Sequence, residues 1–149
     1  MLQRISALPA TLLLLAANAA AGGFFLSIHA PDPKVADRDA ILTVEAQGCQ
    51  DYSQAHVTGT AEGTVDGKRR SIALELAATG RPGAYMVRRQ WPERGKWVLV
   101  FHSVAWGRTT STIVSLAPDG RLPPDSAPSQ GIRMMMRPVN SEDIEAALR

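Results

Sequence analysis

The side chains of this chain that could hold a transition metal are few and widely spaced. The histidines are His29, His56 and His102, and the other soft donors are Cys49 and the triplet Met134-Met135-Met136. Imidazole together with thiolate and thioether suits Cu(I). A copper-binding reading would therefore draw on His29, His56, His102, Cys49, Met134 and Met136. No pair shows HxH, HxxxH or CxxC spacing. The three histidines fall on different predicted strands, so only tertiary structure could gather them. In a strand Met134 and Met136 share one face and Met135 takes the other, and two of the three are expected to pack on the body of the fold.

Catalytic constellations are missing from the sequence. There is no GxSxG elbow, and His102-Ser103 are strand neighbours whose side chains leave on opposite faces. Glu142, Asp143 and Glu145 resemble paired carboxylates, but they stand at the start of a predicted helix, where acids complement the dipole. Gly59, Gly63 and Gly67 recur every fourth residue without forming a phosphate-binding GxGxxG or Walker loop. These readings predict a protein that is not an enzyme and carries no cofactor.

A second candidate surface is basic and aromatic. Arg88, Arg89 and Arg94 flank Trp91, and Trp and Arg are the types enriched at binding hot spots. Arg88 and Arg89 leave the strand on opposite faces, and Arg89 shares its face with Tyr85, Val87 and Trp91. A charge at the end of an apolar row predicts that Trp91 is half exposed at one end of the fold, as part of a surface for an unknown protein partner.

The elements that must position these residues read as strands. Phe24 to His29 is a short β-prone run. Ala40 to Gln47 alternates, with Leu42, Val44 and Ala46 on one face. His56 to Ala61 is a weaker strand, and Asp66-Gly67 marks a hairpin because a type I′ turn needs positive φ at both central residues. Ser71 to Ala77 alternates again, with Ile72, Leu74 and Leu76 together. Ala84 to Trp91 follows, then Trp97 to Phe101, apolar on both faces as in a central strand, then Thr109 to Leu116. Seven or so short strands between frequent turns predict an antiparallel β-sandwich. Leu122 to Gln130 is rich in Pro and Ser. Ile132 to Val139 fits an edge strand, and Asn140 or Ser141 can cap a short helix with Ile144 and Leu148 on one face.

The first residues read as a secretory signal. Arg4 precedes the uncharged run Ile5 to Ala17, and Ala17-Asn18-Ala19 and Ala19-Ala20-Ala21 both fit a small-x-small cleavage site. The run is short of the roughly 20 residues a membrane span needs. Residues 1–21 are thus expected to be removed, residues 22–120 to form the sandwich, and residues 121–149 to be a Pro-rich extension with the edge strand and helix. The chain has 16 basic and 14 acidic residues. Cleavage removes Arg4 alone among them, so nucleic-acid binding is not expected, nor is stable membrane insertion. An exported chain with a single cysteine has no intrachain disulfide. Cys49 is then inert, joined to another chain, or a ligand.

Ala55-His56-Val57, Gly83-Ala84-Tyr85, Trp91-Pro92 and Gly95-Lys96-Trp97-Val98-Leu99-Val100 compose the pattern AxV … GxY … GxWxLxV. Over about Asp39 to Leu116 this resembles the periplasmic FixH/YtkA-like modules. The resemblance implies an immunoglobulin-like β-sandwich of about seven strands and a binding or accessory role, in some members linked to copper. The copper-linked members would carry a Met/His-rich loop, and Thr58 to Arg81 holds neither residue. The expectation is a non-catalytic binding module in the periplasm or outside the cell, with a copper-binding accessory protein as the alternative. Intact mass and N-terminal sequencing of the exported protein check the signal, and the expected first residue is Ala20 or Gly22. A chain still starting at Met1 would remove the argument for export.

Overall fold

The computed structural model describes residues 23–31, 39–48, 51, 55–123 and 131–149. The segment expected to be a signal, Cys49 and most of the Pro-rich stretch lie outside the described residues. Nine strands and one helix follow in chain order: β1 Phe24–His29, β2 Ala40–Gly48, β3 His56–Val65, β4 Lys68–Ala73, β5 Leu76–Ala78, β6 Ala84–Arg88, β7 Lys96–Ala105, β8 Arg108–Ser115, β9 Ile132–Met135 and α1 Ser141–Leu148. One sheet has the order β1-β2-β6-β5 and the other β4-β3-β7-β8-β9, with every pairing antiparallel. Strands one, two, six and five facing four, three, seven and eight is the immunoglobulin-type arrangement, here extended by β9. The count exceeds the expected seven because the Ser71 to Ala77 run divides and an edge strand is added.

The inter-sheet core follows the alternation in the sequence. Phe24, Leu26, Leu42, Val44 and Val87 from one sheet meet Val57, Ala61, Trp97, Leu99, Phe101 and Val114 from the other. β3 runs on well past Ala61 because its small residues fit large neighbours. Gly59 lies opposite Phe101 and Gly63 opposite Trp97. A Cβ on Gly59 would come within 2.9 Å of the Phe101 ring, and one on Gly63 within 2.3 Å of the Trp97 indole. The two aromatic rings thus lie over backbone that has no side chain of its own. Trp97 is buried, and its Nε1 donates to Arg94 O at 3.0 Å.

The Ser71 to Ala77 run was expected to be one strand. Instead it passes from one sheet to the other at Leu74 and Glu75. Leu74 N still donates to Gly59 O at 2.9 Å, but Glu75 has left the ladder. The Gln90 side chain takes its place: Glu75 N donates to Gln90 Oε1 at 2.8 Å and Gln90 Nε2 donates to Glu75 O at 3.0 Å. One amide therefore pairs with both backbone groups of the exposed Glu75 at the crossing.

β7 is apolar on both faces because each face is covered. Trp97, Leu99 and Phe101 point between the sheets, while Val98 and Val100, with Ile113 of β8, lie under Met135, Val139, Ile144, Ala147 and Leu148. Asn140 caps α1: Asp143 N donates to Asn140 Oδ1 at 2.9 Å, and Asn140 N donates to Asp143 Oδ2 at 3.0 Å. Arg137 grips the same carboxylate at 2.6 and 2.8 Å. The Arg137 hydrogen bond, then the Asn140 backbone, hold the Asp143 carboxyl at about 2. Of the triplet only Met135 packs on the body of the fold, whereas Met134 and Met136 are exposed, which corrects the expectation that two of the three would pack. The reason is that β9 is a sheet edge, with covering helix on one side only.

Gly63→Ala is expected to destabilise the protein by about 1–3 kcal/mol, since the new methyl must push Trp97 out of its seat. Urea melts measure this, and pairing the change with Trp97→Leu should recover most of the loss.

Candidate functional site

In the turn after β6 Trp91 is buried, while Pro92, Glu93, Arg94 and Gly95 are exposed. Trp91 is 4% exposed and belongs to the inter-sheet core. This corrects the expectation that it is half exposed. Arg89 does not mark where the apolar row meets solvent. Its guanidinium closes the end of the sandwich, with Nε donating to Trp91 O at 3.3 Å, Nη1 to Asp119 O at 3.2 Å and Nη2 to Pro92 O at 3.2 Å. Gly120 packs against the same guanidinium, as a Cβ there would lie 2.9 Å away. Arg94 pairs with Asp66 at 3.3 Å on the surface, and Arg88 lines a shallow recess with Glu75 and Gln90. Trp91, Arg88, Arg89 and Arg94 therefore do not form one face. A cleft of about 420 Å³ opens beside them, with Arg89, Glu93, Lys96 and Trp97 among its walls. Its most enclosed cation, Arg89, is already committed to three carbonyls.

The histidines are likewise dispersed. His29 ends β1 in the four-stranded sheet, where its Nε2 lies 2.9 Å from Ser27 Oγ. His56 and His102 do come to the same outer face of adjacent strands, since His56 pairs with Val104 and Thr58 with His102. His102, however, leans the other way, its Nδ1 2.8 Å from Ser111 Oγ on β8. Burial pushes the His102 imidazole below its usual value, favouring the neutral ring. Met134 and Met136 sit at the β9 edge, and Cys49 is outside the described residues. Among the described residues no three His, Cys, Asp or Glu side chains are grouped to hold a metal. The copper reading thus gains no assembled ligand set here.

The most exposed aromatic among the described residues, Trp106, is one that the sequence reading passed over. Trp106 and Gly107 form the two-residue tip between β7 and β8, where Ala105 pairs with Arg108. Trp106 has φ 49° and Gly107 φ 69°. The β3–β4 tip is the same device: Asp66 has φ 50° and Gly67 φ 73°. Asp suits that backbone region, because a short polar side chain is tolerated there, but a bulky residue held at positive φ is strained by about 1–3 kcal/mol. Trp106 is nonetheless 59% exposed, and Val104 beside it is 57% exposed. Ala105-Trp106-Gly107-Arg108 between two β-branched runs carried the signal: a two-residue connection ending in Gly is a tight hairpin.

The tip stands at a defined end of the sandwich. β2 finishes at Gly48 opposite Phe24, and β3 begins at His56 opposite Val104. The start of β1 and the β7–β8 tip therefore share one end, while Arg89, the cleft and the Asp66 turn occupy the other. Comparison with protein-family models, curated proteins and solved structures finds no match.

Trp106→Asn is expected to raise stability by about 1 kcal/mol by relieving the positive-φ strain. Trp91→Ala should lose about 3–5 kcal/mol as a truncated core aromatic. Chemical denaturation of the two variants checks both signs, and a loss for Trp106→Asn would make the tip indole a structural prop.

Proposed function

We propose that this chain is an exported, non-catalytic binding module, of the kind the FixH/YtkA-like resemblance implies, acting in the periplasm or outside the cell. Its binding surface is the β7–β8 tip with Val104 and the neighbouring outer face of the five-stranded sheet. The observation that carries this reading is Trp106: a large aromatic, mostly exposed, kept at a backbone position that disfavours it. Neither burial nor turn preference accounts for an indole at that position. Trp is also among the residue types enriched at binding hot spots. No helix among the described residues is long and apolar enough to cross a membrane.

A photo-reactive aromatic amino acid placed at position 106 in cells that export the protein tests the surface. The expected result is a discrete adduct from position 106 and none from position 66, the equivalent turn at the other end. Equal labelling from both positions, or none from position 106, would overturn the assignment.

A further inference from the structure

An edge strand offers its unpaired backbone to any other strand unless something blocks it. Among the described residues the edges are β1 and β5 of one sheet and β4 and β9 of the other. Three of the four are guarded. β4 carries Lys68, Arg69 and Arg70 and no carboxylate, so pairing with its own copy would set cations against cations or uncharged side chains. β5 is only three residues long. β1 packs on β8, where Leu26 O accepts from Thr112 Oγ1 at 3.4 Å.

β9 has no such guard. Ser115 N donates to Gly131 O at 2.7 Å, and along the same ladder Ile113 faces Arg133 and Ser111 faces Met135. The odd-numbered residues therefore bond to β8, and the N–H and C=O of Ile132 and Met134 point to the free edge. β1 comes near from the other sheet without pairing there. Met134 is 60% exposed and Met136, just past the strand, 63%. The charges between Gly131 and Pro138 are Arg133 and Arg137. Both are held within the chain: Arg133 Nη2 donates to Asp143 O at 2.9 Å, and Arg137 grips the Asp143 carboxylate. The edge thus presents open backbone and adaptable thioethers rather than free charge.

We infer that β9 pairs antiparallel with β9 of a second copy of this chain, about a two-fold axis at Met134. In that register Met134 faces Met134, Ile132 faces Met136 and Arg133 faces Met135 of the other chain. No like charges are opposed, and the exposed methionines cover one another. A strongly charged strand finds no counter-charge here, and pairing β9 with β4 of another copy would press cations against apolar side chains. The two-fold contact uses the same edge twice and closes, leaving no β9 edge open for growth. Because the axis reverses the strand, the two β7–β8 tips point in opposite directions, so the contact is independent of what the tips bind. An edge of four residues makes a weak, concentration-dependent dimer.

Cysteine substitution reads the register, because Met134 and Met136 are about equally exposed. In a Cys49→Ser background, Met134→Cys brings the two Cα atoms to about 5.5 Å across the axis, within reach of a disulfide. Met136→Cys leaves its two copies four residues out of step, roughly 13 Å apart and beyond reach. Reaction with a small thiol reagent under dilute conditions checks that both thiols are accessible. The expected result under mild oxidation is a covalent dimer from Met134→Cys and its loss with Met136→Cys. Sedimentation of the unaltered protein should show a mass that rises with concentration, and Met134→Lys, folded by its melting curve, should stay a monomer. Equal disulfide formation at both positions, or at neither, would overturn the inference. A protein that is monomeric at every concentration does the same, as does a dimer that survives Met134→Lys, since its interface then lies elsewhere.

Discussion

The sandwich depends on how β7 lies against β3. Trp97 and Phe101 are too large to sit beside ordinary side chains on the neighbouring strand, and they face Gly63 and Gly59 instead. The rings cover glycine backbone and fill the space between the sheets, where a large aromatic buries more apolar area than any other side chain. The cost is conformational: glycine within a strand is destabilising by roughly 0.5–1 kcal/mol relative to alanine. That loss is accepted in two places because each glycine admits a ring. The four-residue spacing on β3 and on β7 is one constraint seen from both strands.

From that contact the two faces of β7 diverge in role. Its inner face builds the inter-sheet core, and its outer face needs a second cover. α1 provides it over Val98 and Val100, but eight residues span only about 12 Å of sheet, so the cover stops short. Beyond it lie His102, Val104 and the tip. The helix is pinned through its first turn, where Asn140 and Arg137 share the Asp143 carboxylate, and Arg69 reaches Glu145 at 3.1 Å from the opposite edge strand. The outer face of the five-stranded sheet is thus part core and part open surface, and the division falls between Val100 and Val104.

The ends of the sandwich are specialised in a comparable way. At one end Arg89 uses all three of its nitrogens on carbonyls of the turn after β6 and the connection after β8, so a cation acts as a clasp and Trp91 is sealed inside. At the other end a tryptophan occupies a turn position where an aspartate serves equally well in the same molecule. Two tryptophans near two arginine-bearing turns therefore have opposite fates. The difference lies in which residue's neighbours supply acceptors for a guanidinium and which residue stands at the apex of a two-residue loop.

Much of the fold was legible in the order of residues. Alternation in Ala40 to Gln47 and the doubly apolar Trp97 to Phe101 are local signals, as are Asp66-Gly67 and the Asn140 cap. They depend on pleat, turn geometry and capping, which act over a few residues. The sheet switch at Leu74 was not legible, because the alternation of Ile72, Leu74 and Leu76 continues unbroken across it. Only the distant Gln90 amide shows where the ladder is interrupted. The site was legible in part. The residues that meet at Arg89 come from positions 30 apart, and the reading of Trp91 as half exposed failed because the carbonyls that bind its neighbour could not be seen in sequence. Trp106 needed only the turn rule, yet its exposure and its nearness to the start of β1 come from the pairing of β1 with β2 and of β3 with β7. Sequence alone determined most of the strand segments and the turn at Asp66-Gly67. Tertiary structure decided which aromatic is core and which is surface, because burial depends on what other strands bring to the same place.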